Sequence, residues 1–325
     1  MKRLTILLGI IIMGIYNQTH AQNQDSLIKV TEGVYEITGL YCNISFLVTE
    51  DGVILFDTGN YPDKGDRIQK IIKSVSKKPI KYIVYTHYHG DHTNGIAMFS
   101  SKIPIIAQKN SVKNLQNQEN DRIKELKNVN KQIDSLKLLL SKIKAVKSAI
   151  YTKNDSIYKT FLEKAKELKS IKTIYPTILV ENEKTIVLGK DTIEFTFPGK
   201  AHTDGDLVAN IKTRKTIIFG DLLFNKCYPY IDPLGDVLNW SGKMKFYAQS
   251  GTEYFIPGHC DIANKEDVLI FANYLNDIYN EVKKLKDEGK AIEEIRKTVN
   301  LPTYDNFGFT FLKAQNVDGV YSQLK

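Results

Sequence analysis

Three histidines and an aspartate fall within six residues, in Thr86-His87-Tyr88-His89-Gly90-Asp91-His92, directly after the apolar run Ile80–Tyr85. Imidazole and carboxylate suit Zn2+, and a catalytic zinc takes about three protein ligands and keeps one position open. His87 and His89, two apart, converge on one ion when the loop curls, while Asp91 and His92 face a second. Gly90 gives the loop the backbone freedom to do so. Two more imidazoles must arrive from distant loops. His202 follows the strand-like Thr192–Phe197, and His259 follows Tyr254–Ile256 in Ile256-Pro-Gly-His259-Cys260. Asp221 closes Ile217-Ile-Phe-Gly-Asp221 and delivers a carboxylate whose two oxygens can bridge two metals.

The elements that must position these residues are legible as alternating textures. Val34–Ile37, Ile44–Val48 and Val53–Phe56 read as strands divided by glycine turn signals. Pro62–Ser76 carries Ile68, Ile71, Ile72 and Val75 at helical spacing, and Ile80–Tyr85 and Ile103–Ala107 read as further strands. Between Ile105 and Tyr175 there is neither Gly nor Pro. Leu126, Val129, Ile133, Leu136, Leu140 and Ile143 form one helical seam, and Tyr158, Phe161, Leu162, Ala165 and Leu168 form a second. Residues 109–172 are therefore an inserted helical hairpin, with Thr152–Asp155 predicted as its turn and N-cap. The seam can close within one chain or between two, and oligomeric state is not readable from it. Strand texture resumes over Thr177–Val180, Thr185–Leu188, Thr192–Phe197, Leu207–Ile211, Thr216–Phe219 and Tyr254–Ile256. Lys265–Gly289 and Ala291–Val299 are amphipathic helices of a C-terminal extension, 264–325. The pattern predicts a layered α/β fold.

Ordinary hydrophobic and charged fractions, 42% and 25%, exclude wholesale disorder. The net charge of +8 belongs to the hairpin, where residues 109–172 hold 16 Lys/Arg against 7 Asp/Glu, so the remaining chain is close to neutral. That distribution argues against nucleic acid as a partner. The lysine-rich face reads as solvated surface, with weak contact to an anionic envelope surface as the other use. Met1–Ala21 has a basic start, an apolar run shorter than the roughly 20 residues of a bilayer span, and small residues before a polar stretch. It reads as a signal peptide cut near Ala21, leaving residues 22–325 in a secreted or periplasmic space. Cys42, Cys227 and Cys260 make an odd count. One disulfide can form in an oxidising compartment, and the sequence does not say which.

The set His87-x-His89-x-Asp91-His92, His202, Asp221 and His259, preceded by Val53-Ile-Leu-Phe-Asp57-Thr-Gly59, resembles the metallo-β-lactamase-fold hydrolases over about Val30 to Ala263. The resemblance implies an αββα sandwich, here carrying the helical hairpin and C-terminal helices, with two zinc ions per chain at one edge of the sheets. Carried over, it makes His87, His89 and His202 ligands of the first zinc. Asp91, His92 and His259 become ligands of the second, with Asp221 bridging. Asp57 matches a carboxylate that orients ligands without binding metal, and competes with a plain turn-capping role. Two zinc ions about 3.5–4 Å apart share a water, whose pKa falls from 15.7 to about 7, and the bridging hydroxide attacks a carbonyl. Asp91 then passes a proton to the leaving group. The expected reaction is hydrolysis of an ester, lactone, thioester or amide in a small-molecule substrate.

A β-lactam substrate fits less well, because Phe224 stands where one lactamase subclass has a carboxylate-binding Lys. Asp221 matches the glyoxalase II-like enzymes, the lactonases and the secreted quinoprotein-relay hydrolases. The run Gly220–Asn225 with Pro229 and Asp232 looks most like the last. Lys226, Tyr228, Asn94 and Trp240 sit beside the metal loops as candidate substrate contacts. A mononuclear iron sulfur dioxygenase on the same fold is one alternative. A non-catalytic envelope-binding protein that uses the basic hairpin is another, and the complete ligand set argues against it.

Overall fold

The computed structural model describes residues 26–143 and 149–324. The leader read over Met1–Ala21 lies outside the described residues. Among the described residues twelve strands form two sheets. The first sheet runs in sequence order through β1 (Ser26–Thr31), β2 (Val34–Leu40), β3 (Cys42–Val48), β4 (Val53–Phe56), β5 (Ile80–Val84), β6 (Ile105–Gln108) and β7 (Ile178–Val180). It is antiparallel as far as β4 and parallel beyond it. The second sheet comprises β8 (Glu183–Leu188), β9 (Asp191–Thr196), β10 (Val208–Ile211), β11 (Thr216–Asn225) and β12 (Tyr254–Cys260). Its order is β12-β11-β10-β9-β8, antiparallel except for the parallel edge pair β11–β12.

Side chains alternate across a strand, so each strand feeds two interfaces. In β4, Ile54 and Phe56 enter the core between the sheets, where they meet Phe195, Ile218 and Ile256. Val53 and Leu55 face the other way, onto Ile68 and Ile72 of the helix Pro62–Val75. On the second sheet, Ile218 points inward while Ile217 and Phe219 pack under the helices Val237–Tyr247 and Lys265–Asp287. Three apolar interfaces between four layers are the αββα sandwich of the metallo-β-lactamase fold. The helix Lys265–Asp287 opens on a reciprocal cap, in which Asn264 and Asp267 each accept from the other's backbone N–H.

The hairpin is present as two helices, Ser111–Ile143 and Ala149–Ser170. Its seam closes within the chain, through Val129, Ala165 and Leu168 with Leu126, Ile133 and Phe161 against them. The expected turn at Thr152–Asp155 is a correction, since those residues lie inside the second helix. Their polar side chains are satisfied along the helix: Asn154 Nδ2 donates to Ile150 O at 2.8 Å, and Asp155 pairs with Lys159 at 2.7 Å. Local bonds of this kind let turn-forming residues continue a helix. The strand β1 and the helices Val237–Tyr247 and Lys313–Gln323 are among the elements that carried no signal in the sequence.

Candidate metal centre

The loop after β5 carries His87 and His89, then turns into a short helix, Gly90–Thr93, that carries Asp91 and His92. The middle of β11, which runs on past the expected end at Asp221 to Asn225, supplies Asp221, the end of β12 supplies His259, and the loop after β9 supplies His202. All seven residues meet at one edge of the two sheets, in two groups. Ligand atoms of His87, His89, His202 and Asp221 lie within 4.8 Å of one another, as do those of Asp91, His92 and His259. Asp221 stands between the groups. Its Oδ2 is 3.7 Å from His87 Nε2 and 3.6 Å from His202 Nε2, and its Oδ1 is 3.0 Å from His92 Nε2 and 3.5 Å from His259 Nε2. Gly258 makes room for it, and Gly220 makes room for the neighbouring Thr86. A Cβ on Gly258 would lie 2.0 Å from Asp221 Oδ1, and one on Gly220 would lie 2.3 Å from Thr86 Oγ1.

Outer partners decide which ring nitrogen faces the centre. Asp57, buried at the end of β4, accepts from Thr86 N at 2.9 Å and from Thr86 Oγ1 at 2.8 Å. It also stands 2.7 Å from His92 Nδ1, which then carries the hydrogen and leaves the Nε2 lone pair for the centre. Because Thr86 Oγ1 already donates to Asp57, the 3.1 Å contact from His87 Nδ1 makes that nitrogen the donor, so His87 also presents Nε2. His89 is reversed. Its Nε2 donates to Asp232 Oδ2 at 2.9 Å, and Nδ1 is turned inward, 3.2 Å from His202 Nε2. Asp57 thus fixes the His92 ring, and Asp232 does the same for His89. Sequence reading noted Asp232 only as part of a subfamily pattern, because nothing local links it to a histidine 143 positions earlier.

The donor set fits a cation on two grounds. His87 Nε2, His92 Nε2 and Asp221 Oδ1 are buried without a hydrogen-bond partner, and each such atom costs roughly 1–3 kcal/mol when left unmade. The electrostatics point the same way. Burial holds the His87 ring well below the usual histidine range and pushes His202 down to about 4, so both are neutral and able to ligate. Burial also opposes charge on His259, but the Asp221 and Asp91 carboxylates outweigh it and push it up to about 9. A proton there answers a demand for positive charge that a metal would meet.

Two candidate substrate contacts are corrected. Trp240 is fully buried, donates Nε1 to Leu222 O at 2.8 Å and packs on the His202 ring. Tyr228 is equally buried and donates to Tyr304 O at 2.8 Å. Both are packing residues. Lys226 is exposed and pairs with Asp267 at 3.2 Å, and Asn94 caps the short helix Gly90–Thr93.

The metallo-beta-lactamase superfamily model matches residues 37–259, which contain every one of these groups. The chain belongs to that superfamily. A linear primary-alkylsulfatase from Pseudomonas sp. is 44% identical over 52 residues, 16% of this chain and 10% of that protein. The stereoselective inverting sec-alkylsulfatase from Pseudomonas sp. superposes with a TM-score of 0.68 at 18% identity, covering 93% of this chain and 50% of its own. A metallo-beta-lactamase from Pontibacter korlensis superposes with a TM-score of 0.54 at 17% identity, over 78% of this chain and 99% of its own. The chain thus spans about half the length of the solved alkylsulfatase and a tenth of the linear one.

Proposed function

We propose that this protein is a dinuclear zinc hydrolase that cleaves an ester, lactone, thioester or amide bond in a small molecule. The observation that carries the reading is Asp221, with one oxygen facing each ligand group. Zinc ions, when bound there, would supply Lewis-acid polarisation of the scissile group and water whose pKa is lowered to about 7. The chain's own residues supply the rest. Exposure separates their roles: the side chains of His87, His92, His202 and Asp221 are 5% exposed or less, whereas His89 and Asp91 are 18% and 20% exposed. The centre therefore opens on the His89–Asp91 side, where substrate enters. Asp91 is the carboxylate on that open side, with Oδ2 3.2 Å from His259 Nε2, and is placed to take the proton released by the attacking water and hand it to the departing group. The buried imidazoles would hold the metals on the closed side of the centre.

The alkylsulfatase likenesses favour a second reading, in which the ester is an organic sulfate. Both readings are tested on one panel: an aryl ester, a lactone, a thioester, a cephalosporin and an alkyl sulfate, with metal content measured on the same protein. Zinc near two per chain and turnover of at least one class are expected, with both lost in the His87→Ala/His89→Ala double variant. Turnover retained in that variant would end the hydrolase reading, and a single bound iron would move it to oxygenase chemistry. A secreted or periplasmic location belongs to the same proposal. It is supported by the Cys227–Cys260 disulfide, which needs an oxidising compartment to persist. Among the described residues no helix is long and apolar enough to cross a membrane.

A further inference from the structure

Of the three pairings open to the cysteines, the structure makes one, Cys227–Cys260, and leaves Cys42 buried and free. Cys260 is the residue after the ligand His259 and the last residue of β12. That strand is the edge of its sheet, paired only with β11 within it, and a strand end of this kind frays most readily. The local backbone is also unfavourable. Cys260 and Lys226 both have positive φ, 72° and 54°, a conformation that costs an ordinary residue roughly 1–2 kcal/mol. Something must hold His259 against that tendency.

Three contacts do so, and the disulfide joins them. Asn43 Nδ2 donates to Cys260 O at 2.6 Å. Phe224 lies flat on the His259 ring, with centroids 5.4 Å apart and planes at 12°. Phe309 meets the same ring edge-on at 5.8 Å. The segment bearing Phe309 is seated on the disulfide itself. Tyr228 N donates to Gly308 O, Gly308 N donates to Lys226 O, and a Cβ on Gly308 would stand 3.0 Å from Cys227 Sγ. The bond thus clamps the end of β12 to the end of β11 and gives the C-terminal segment its platform. Of these contacts only Phe224 also touches the first group, 6.1 Å from the His202 ring, whereas Asn43, Phe309 and the disulfide lie on the His259 side.

Resting on the two-metal reading above, we propose that the Cys227–Cys260 disulfide is a positioning element for His259. It holds the second ligand group closed, and full metal loading therefore requires an oxidised protein. Cutting the bond should weaken the second site selectively, by about 10–100-fold in affinity, the usual effect of removing a residue that orients a metal ligand. The test is zinc titration against a chromophoric chelator on full-length protein, comparing wild type with the Cys227→Ser/Cys260→Ser variant. Wild type reduced by a phosphine serves as a second route to the open bond. Circular dichroism and thermal melting monitor the fold in each.

One zinc held as in wild type, with the second released at least 10-fold more readily, is the expected result. Equal retention of both metals would overturn the proposal and leave the hydrolase reading intact. Parallel loss of both would also overturn it, by showing that the bond serves the fold as a whole. Oxidised wild type that takes up no second metal would remove the two-metal reading and this proposal with it.

Discussion

The two ligand groups are built alike and supported differently. Each has one imidazole oriented by an outer carboxylate, His92 by Asp57 and His89 by Asp232. Asp57 stands at the end of a core strand and accepts three hydrogen bonds from the β5 loop and the helix after it. Asp232 stands on the connection after β11, accepts from Tyr88 Oη and Leu234 N, and has its own carbonyl held by Gln323 of the last helix. The first group therefore depends on a loop tied to the C-terminus. The second depends on the sheet core and on a disulfide. One fold edge thus holds two ligand groups whose supports differ in part and meet at Asp221 and, through Thr86, at Asp57.

Changes at Asp221 should erase the comparison. Asp221→Ala removes the shared carboxylate, so both metals and on the order of 10³-fold or more in kcat are expected to go, read by metal analysis and turnover. Retention of either metal at full affinity would mean the groups do not share this residue. Outer carboxylates should sharpen it. Asp232→Asn is expected to weaken only the first metal, by about 10–100-fold. Asp57→Asn should weaken both, because Asp57 reaches His92 directly and His87 through Thr86 Oγ1. Chelator competition separates the two affinities, and identical profiles for the two variants would contradict the asymmetry.

Leu168→Ala lies outside both groups, in the small hairpin core. A loss of at most about 2–5 kcal/mol is expected there, read as faster amide exchange confined to 111–170 with both metals retained. The smallest effect concerns Glu36 on β2. Burial, with Asp261 nearby, pushes this carboxyl from 4.5 up to about 8. The folded state then holds a proton that the unfolded state releases. Its contribution to stability is complete below about pH 4.5 and lost as pH rises through about 8. Glu36→Gln should remove that dependence, so the Tm of wild type falls relative to the variant across this window. Parallel Tm profiles would show that Glu36 is not held protonated.

The ligand types and the strands that deliver them were legible because each signal is local. An apolar run followed by His87-x-His89-x-Asp91-His92 places donors at a strand end whatever the rest of the chain does. The same holds for the stripes at Val129 and Leu168, which mark helices by spacing alone. The turn of the hairpin was misplaced for a related reason. Thr152–Asp155 has turn chemistry, but the same side chains also bond along a helix, and local composition does not choose between the two.

What only the tertiary structure decided are the pairings between distant segments. These include Cys227 with Cys260 in place of Cys42, Asp232 with His89, and the seating of Gly308 on the disulfide. It also decided that Trp240 and Tyr228 turn inward to pack. Each of these depends on which loops close on which, and loop closure is set by the packing of whole layers, which no short stretch of residues encodes.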